Sequence, residues 1–145
     1  MDLFKISSVS DLFETLIYFQ VEPISATRFA STSNDNIVRM WELPDLMTIR
    51  QHGSKEYVYA LMYDAQKDRL LVGNGAGEVE VLDFDYNLLQ KYRLHQDLIT
   101  IIRWVAGEHE LLVTGSIDTT LIVSKAYSQD ILARLEFSEP IWSFV

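Results

Sequence analysis

Apolar and polar residues alternate over short runs of this chain, as in Glu56 to Tyr63, Gly77 to Phe84 and Leu98 to Trp104. A period of two sends successive side chains to opposite faces of an extended backbone, so these runs predict β-strands. Helical spacing is scarce. Short polar breaks separate the runs: Ser33-Asn34-Asp35-Asn36, Gly73-Asn74-Gly75-Ala76-Gly77 and Gly115-Ser116-Ile117-Asp118. Flanked by aliphatic and β-branched segments, they predict hairpin turns. Asn74-Gly75 is a preferred pair for a type I′ turn, in which both central residues take positive φ.

The breaks recur at a fixed interval, with Asp35 and Ala76 lying 41 residues apart and Ala76 and Asp118 lying 42 apart. Such a period signals structural repeats. Trp41, Leu82 and Ser124 each follow the turn residue by six positions, and Ser54, His95 and Phe137 follow those by thirteen more. Val58, Leu61 and Tyr63 stand at the same offsets from Ser54 as Ile99, Ile102 and Trp104 from His95. Each unit supplies four short strands. The expected fold class is all-β, with four-stranded antiparallel sheets stacked in a ring or array, and the pattern excludes a helical solenoid.

The segment Ser31-Thr32-Ser33-Asn34-Asp35-Asn36-Ile37-Val38-Arg39-Met40-Trp41-Glu42 resembles the second half of a WD repeat, with Trp-Glu where that family has Trp-Asp. Unit three carries Leu94-His95 at the place of the family's Gly-His, then Thr114-Gly115-Ser116-Ile117-Asp118, with Ser124-Lys125 replacing Trp-Asp. Unit two keeps Leu82-Asp83 at its end, has Ser54 for the histidine and Ala76 for the turn aspartate, and is recognised by period and apolar pattern. Over nearly its whole length the chain is thus similar to about three repeats of a WD-repeat β-propeller.

That resemblance implies one partial propeller over 1–145: an outer strand of a preceding or closing blade over 1–9, blades over 10–52, 53–94 and 95–137, and the start of a fourth over 138–145. Leu3 to Ser8 would fall on the outer strand and Ile141-Trp142-Ser143-Phe144-Val145 on an inner first strand. The start then resembles a true beginning and the end resembles a cut. The family also implies a buried structural network of a strand Ser or Thr, a loop His, the turn Asp and the Trp indole. By position this assigns Ser31, Asp35 and Trp41 in unit one, with Ser10 at the histidine place, and His95, Thr114 and Asp118 in unit three. Unit two is expected to be almost purely apolar there. A missing member leaves its partners unpaired at about 1–3 kcal/mol each if buried. The loops Lys55-Glu56-Tyr57 and Gln96-Asp97-Leu98, with Asn34, map to the surface on which WD propellers engage partners, so Asn34, Lys55, Tyr57 and Gln96 are the candidate partner-binding residues.

Composition narrows the partner class. A hydrophobic content of 48 % with 23 % charged residues fits a globular domain. The net charge of −9 argues against nucleic acid and anionic lipid and favours basic or neutral protein or peptide partners. With no cysteine, disulfides and thiolate metal sites are excluded, and a reducing compartment, cytoplasmic or nuclear, is expected. No basic segment precedes an apolar run at Met1, and no apolar stretch has the roughly 18 residues that spanning requires.

Candidate chemistry is thin. The Gly73–Gly77 run lacks G-x-G-x-x-G spacing and joins strand to strand, leaving no helix N-terminus for a phosphate. Asp83 and Asp85 would share one side of a strand, but Asp83 holds the end-of-strand acidic place of its repeat. His52, His95 and His109 match no zinc spacing, and there is no G-x-S-x-G elbow. Trp104 is expected in the core, with no catalytic residue, metal or cofactor. The leading expectation is a non-catalytic interaction scaffold. A propeller lyase or glycosidase would need channel carboxylates where this chain has Val58, Ala60, Ile99 and Ile101; a truncated fragment without independent function is the third reading. A closed propeller has 4 to 8 blades. Three would leave apolar ends, so self-association into a six-blade ring, or a longer parent chain, is expected.

Overall fold

The structure is a computed structural model and describes residues 18–143. Among these it forms twelve strands and no helix, so none is long and apolar enough to cross a membrane. Sheet one holds β1 (Tyr18–Pro23), β2 (Arg28–Ser33), β3 (Ile37–Glu42) and β4 (Met47–Gly53). Sheet two holds β5 (Val58–Asp64), β6 (Arg69–Asn74), β7 (Glu78–Leu82) and β8 (Leu88–Arg93), and sheet three β9 (Ile99–Val105), β10 (Glu108–Ser116), β11 (Thr120–Lys125) and β12 (Ile131–Glu136). Every sheet is antiparallel, with strands in chain order. The first strands β1, β5 and β9 meet from sheet to sheet.

One turn geometry repeats in all three sheets. Between second and third strands, positive φ falls on Asn36 (63°), Gly77 (79°) and Thr119 (75°), which occupy the same column of the repeat. Their carbonyls accept from the backbone N–H of Ser54, His95 and Phe137 at 2.9, 3.0 and 2.9 Å, tying each turn to the loop that leaves the fourth strand. Antiparallel order therefore gathers these turns and loops at one end. The expected type I′ turn at Asn74-Gly75 is corrected: Asn74 ends β6, and in this hairpin the left-handed residue is Gly77. Asn74 Oδ1 accepts from the N–H groups of Ala76 and Glu78 at 3.0 Å each, closing a longer turn.

Apolar residues from both faces of sheet two make the core. One cluster joins Ala30, Val38 and Met40 of sheet one to Leu61, Leu70, Val72 and Leu82. The other joins Met62, Leu71, Val79 and Val81 to Ile99, Ile102, Leu112 and Ile122 of sheet three. Val58, Ala60, Ile99 and Ile101, expected to face a channel, are instead buried. Val58, Ala60 and Ile99 pack in the clusters between neighbouring sheets.

Side chains also tie the first strands together. Gln20 of β1 donates to the carbonyl of Thr100 at 2.8 Å and accepts from the Leu61 N–H at 3.2 Å, so it reaches both other sheets. Glu22 accepts from the Tyr63 N–H at 3.0 Å.

The inner strand expected at Ile141 is also corrected, because Ile141 to Ser143 form no strand. A first strand needs a second beside it, and none stands there among the described residues. Ile141 is nonetheless fixed: its N–H donates to Ser116 at 3.0 Å and its carbonyl accepts from Thr100 Oγ1 at 2.5 Å. The expected strand at 1–9, Ser10, Phe144 and Val145 lie outside the described residues.

A Cβ on Gly77 would combine positive φ with collision against the His95 carbonyl, whereas one on Gly53 meets nothing within 4 Å. Gly77→Ala is expected to lower unfolding stability by about 1–3 kcal/mol. Gly53→Ala should stay within about 0.5 kcal/mol of the parent in the same urea titration.

Candidate functional site

At the gathered end, each sheet holds one carboxylate cluster. In sheet one Trp41 Nε1 donates to Ser31 Oγ at 2.8 Å, deep in the sheet. Asp35 is held apart from that pair, accepting from Ser33 Oγ, from the Ile37 N–H at 3.1 Å and from the Arg39 guanidinium. Those contacts outweigh burial and hold the Asp35 carboxyl below the usual range.

Sheet three brings His95, Thr114 and Asp118 together, the three residues that the WD-repeat resemblance assigns to one network. His95 Nε2 lies 2.8 Å from Thr114 Oγ1, and Nδ1 lies 2.8 Å from Thr120 Oγ1 and 3.2 Å from Asp118 Oδ2. Thr120 Oγ1 donates onward to Asp118 Oδ1 at 2.5 Å, and the Gln96 N–H donates to Oδ2 at 2.9 Å. Burial drives the His95 pKa down against the opposing pull of Asp118. A neutral ring, donating from Nδ1 and accepting from the Thr114 hydroxyl at Nε2, satisfies every partner. Ser124, at the tryptophan place, is buried with no partner for its hydroxyl.

Unit two departs from its apolar expectation. Glu80 of β7, 3 % exposed, accepts from Ser54 Oγ at 2.7 Å and Asn74 Nδ2 at 3.0 Å, and its other oxygen lies 3.0 Å from His52 Nε2. Burial would raise the Glu80 pKa, but the bonds from His52, Ser54 and Asn74 bring it below the ordinary value. Ser54 stands at the place of His95, so the loop column still reaches a carboxylate; the carboxylate has moved from the turn into the strand. The signal in sequence was a lone Glu between two valines, together with polar Ser54 and Asn74 in neighbouring columns. Ser, His and Glu here do not form a nucleophilic relay. The carboxylate bonds to both other groups, and His52 has no path to the serine proton.

The four surface candidates also lie at this end. Asn34, Lys55, Tyr57 and Gln96 are exposed. Beside them runs a series of rings: Phe19 lies 5.1 Å from both Tyr57 and Tyr59, and Tyr59 meets Trp142 edge-on at 6.2 Å. Tyr57 and Trp142 remain 39 % and 56 % exposed. Trp104 is half-buried against the core between sheets two and three. Among the described residues no His, Asp and Glu group is arranged to hold a metal ion.

The crystal structure of the WD40 β-propeller domain of Doa1 superposes with a TM-score of 0.74 at 20 % identity. These three sheets have the fold of WD40 propeller blades. The match covers 88 % of this chain and 44 % of that one, so the chain spans under half of the propeller it matches. In sequence, transducin-like enhancer protein 2 of Mus musculus is 27 % identical over 89 residues, 61 % of this chain and 12 % of that protein. No family model matches.

Acid acts on the blade clusters with a definite sign. A histidine whose folded pKa is depressed leaves stability whole above its unfolded value near 6.5 and reduces it as pH falls through the folded value. The depressed carboxyls Glu80 and Asp118 act the same way, but only below 4.5 and 3.8 respectively. Between about pH 7 and 5 the His95 contribution to the falling urea midpoint should vanish in His95→Gln. Glu80→Ala, which leaves buried donors without their acceptor, is expected to cost about 2–4 kcal/mol at neutral pH.

Proposed function

We propose that this chain is a non-catalytic protein-interaction module whose loop rim binds a basic peptide or protein segment. The ring series of Phe19, Tyr57, Tyr59 and Trp142, exposed at Tyr57 and Trp142 and half-buried at Phe19 and Tyr59, carries this reading. Rings are enriched where proteins meet, because they present large rigid area at low entropic cost, and their faces attract guanidinium and ammonium groups. Lys55 and Gln96 are exposed in the loops of the same end, Asn34 tops the first turn, and the −9 net charge favours a cationic partner over an anionic one. The carboxylates Asp35, Glu80 and Asp118 are all engaged in holding strands and loops, which fits structural roles for Ser31, Trp41, His95 and Thr114 as well. A cytoplasmic or nuclear setting suits the cysteine-free sequence.

The test is a titration of the intact chain with arginine-rich and glutamate-rich peptides of equal length, followed by Trp fluorescence. The arginine-rich peptide is expected to bind more tightly, with Tyr57→Ala weakening it about tenfold. Equal affinity for both peptides, or indifference to Tyr57→Ala, would overturn the reading.

A further inference from the structure

Asn74-Gly75, which does not form the tight turn its composition suggests, is the one place in the chain where glycine follows asparagine. Asn34, Asn36 and Asn87 precede Asp35, Ile37 and Leu88. Asparagine is thermally labile because the next residue's backbone nitrogen attacks its side-chain carbonyl carbon, and glycine has no Cβ to obstruct that approach.

In that reaction the Gly75 nitrogen gives up its proton and bonds to Asn74 Cγ. The Cγ–Nδ2 bond breaks and Nδ2 leaves as ammonia, with protons exchanged through water, so the product is a five-membered succinimide ring. Water then opens the ring at either carbonyl. One opening leaves an aspartate; the other leaves an isoaspartate, in which the main chain runs through Cγ. Water is the sole co-reactant.

The fold engages every atom that must react. Asn74 is fully buried. Its Oδ1 accepts from the Ala76 and Glu78 N–H groups at 3.0 Å each, and its Nδ2 donates to Glu80 Oε2 at 3.0 Å and Glu78 Oε1 at 3.2 Å. The Gly75 N–H donates to the Tyr57 carbonyl at 2.6 Å. Packing favours glycine there, since an added Cβ would lie 3.2 Å from Tyr57 Cβ. Attack on Cγ requires the Asn74 side chain to leave the turn and the Gly75 nitrogen to leave Tyr57.

The same contacts make the product incompatible with the blade. An oxygen in place of Nδ2 would set a third carboxylate against Glu80 and Glu78, with a donor removed from a site where Glu80 is 3 % exposed. Like charges at that separation, shielded from water, repel strongly. An isoaspartate would lengthen the main chain at the end of β6, next to the Gly73 and Val79 pairing of β6 with β7.

We propose that Asn74 is a spontaneous deamidation site gated by unfolding of blade two. The folded hairpin protects it, opening of β6 from β7 admits the reaction, and the product does not regain the native turn. The working lifetime of the chain is then set by how often this hairpin opens. The peptide-binding rim takes no part in this chemistry, so either reading can fail alone.

The test incubates the full chain at mildly alkaline pH in a series of guanidinium chloride concentrations. Mass spectrometry of proteolytic fragments locates the gain of one mass unit at each asparagine. In full denaturant Asn74 is expected to convert faster than Asn34, Asn36 or Asn87. In buffer alone its rate should fall on the order of a hundredfold, and between these limits it should follow the unfolded fraction read by circular dichroism. Gly75→Ala, compared with the parent in full denaturant where folding plays no part, should convert severalfold more slowly. Asn74→Asp, the direct product, should unfold at lower denaturant than the parent. Glu80→Gln should cost that variant less than it costs the parent, because it removes the facing charge. An Asn74→Asp chain with no folding transition supports the incompatibility of the product, and the rates on the parent still decide the gating. Equal rates in buffer and denaturant, another asparagine converting ahead of Asn74 in denaturant, or an Asn74→Asp chain as stable as the parent overturns the proposal.

Discussion

A four-stranded sheet with apolar residues on both faces has no stable existence in water, and that constraint shapes the rest of this molecule. Blade two shows it fully: Leu61, Leu70 and Leu82 point one way, Met62, Leu71 and Val81 the other, and all are buried. At about 25 cal/mol per Å² of apolar surface, only a neighbour on each side can supply the stabilisation that such a sheet needs. The blades are therefore units of a stack, and each is completed by the next. The backbone bonds from Ser54, His95 and Phe137 to the left-handed turn residues keep every loop in the same place relative to its sheet. They use main-chain atoms and so survive the loss of signature side chains.

Periodicity made the fold legible. Turn residues 41 and 42 positions apart, with aliphatic alternation between them, reflect the geometry of a repeated sheet. Unit three's cluster was legible too, because His95, Thr114 and Asp118 keep the spacing of a common WD repeat. Glu80 was not. In a strand buried on both faces, alternation no longer separates inside from outside, and Glu80 sits between Val79 and Val81 as though on a solvated face. Only its partners, contributed by β4, the following loop and β6, reveal the role. The inward placing of Val58 and Ile99 was missed for a related reason, since which side of an inner strand meets the channel depends on how sheets stack. The turn at Asn74 escaped because a preferred dipeptide is a local signal, and the Asn74 side chain instead bridges to Ala76 and Glu78.

The three blades solve one problem in three ways. Each carries a carboxylate near the loop end, where it can anchor a turn or loop but must be compensated. Blade three uses a buried neutral histidine and two threonine hydroxyls; blade two uses Ser54, Asn74 and His52 around a strand glutamate; blade one uses its own arginine. Two of these solutions draw a group from the preceding loop, so they fix which blade can precede which. An ion pair within one sheet carries no such requirement.

This difference turns a nearly symmetric repeat into a directed one. Identical blades could stack in any order and to any length, and a stack that grows without limit is an aggregate. Here the polar loop residues Ser54 and His95 precede blades that need them, and the apolar Phe137 precedes none within the chain. An unpaired carboxylate such as Glu80 or Asp118 set against Phe137 would lose its compensation on burial, at a cost of several kcal/mol. The buried polar groups contribute little net stability once desolvation is counted, but they determine which apolar faces meet, and apolar contact alone does not discriminate.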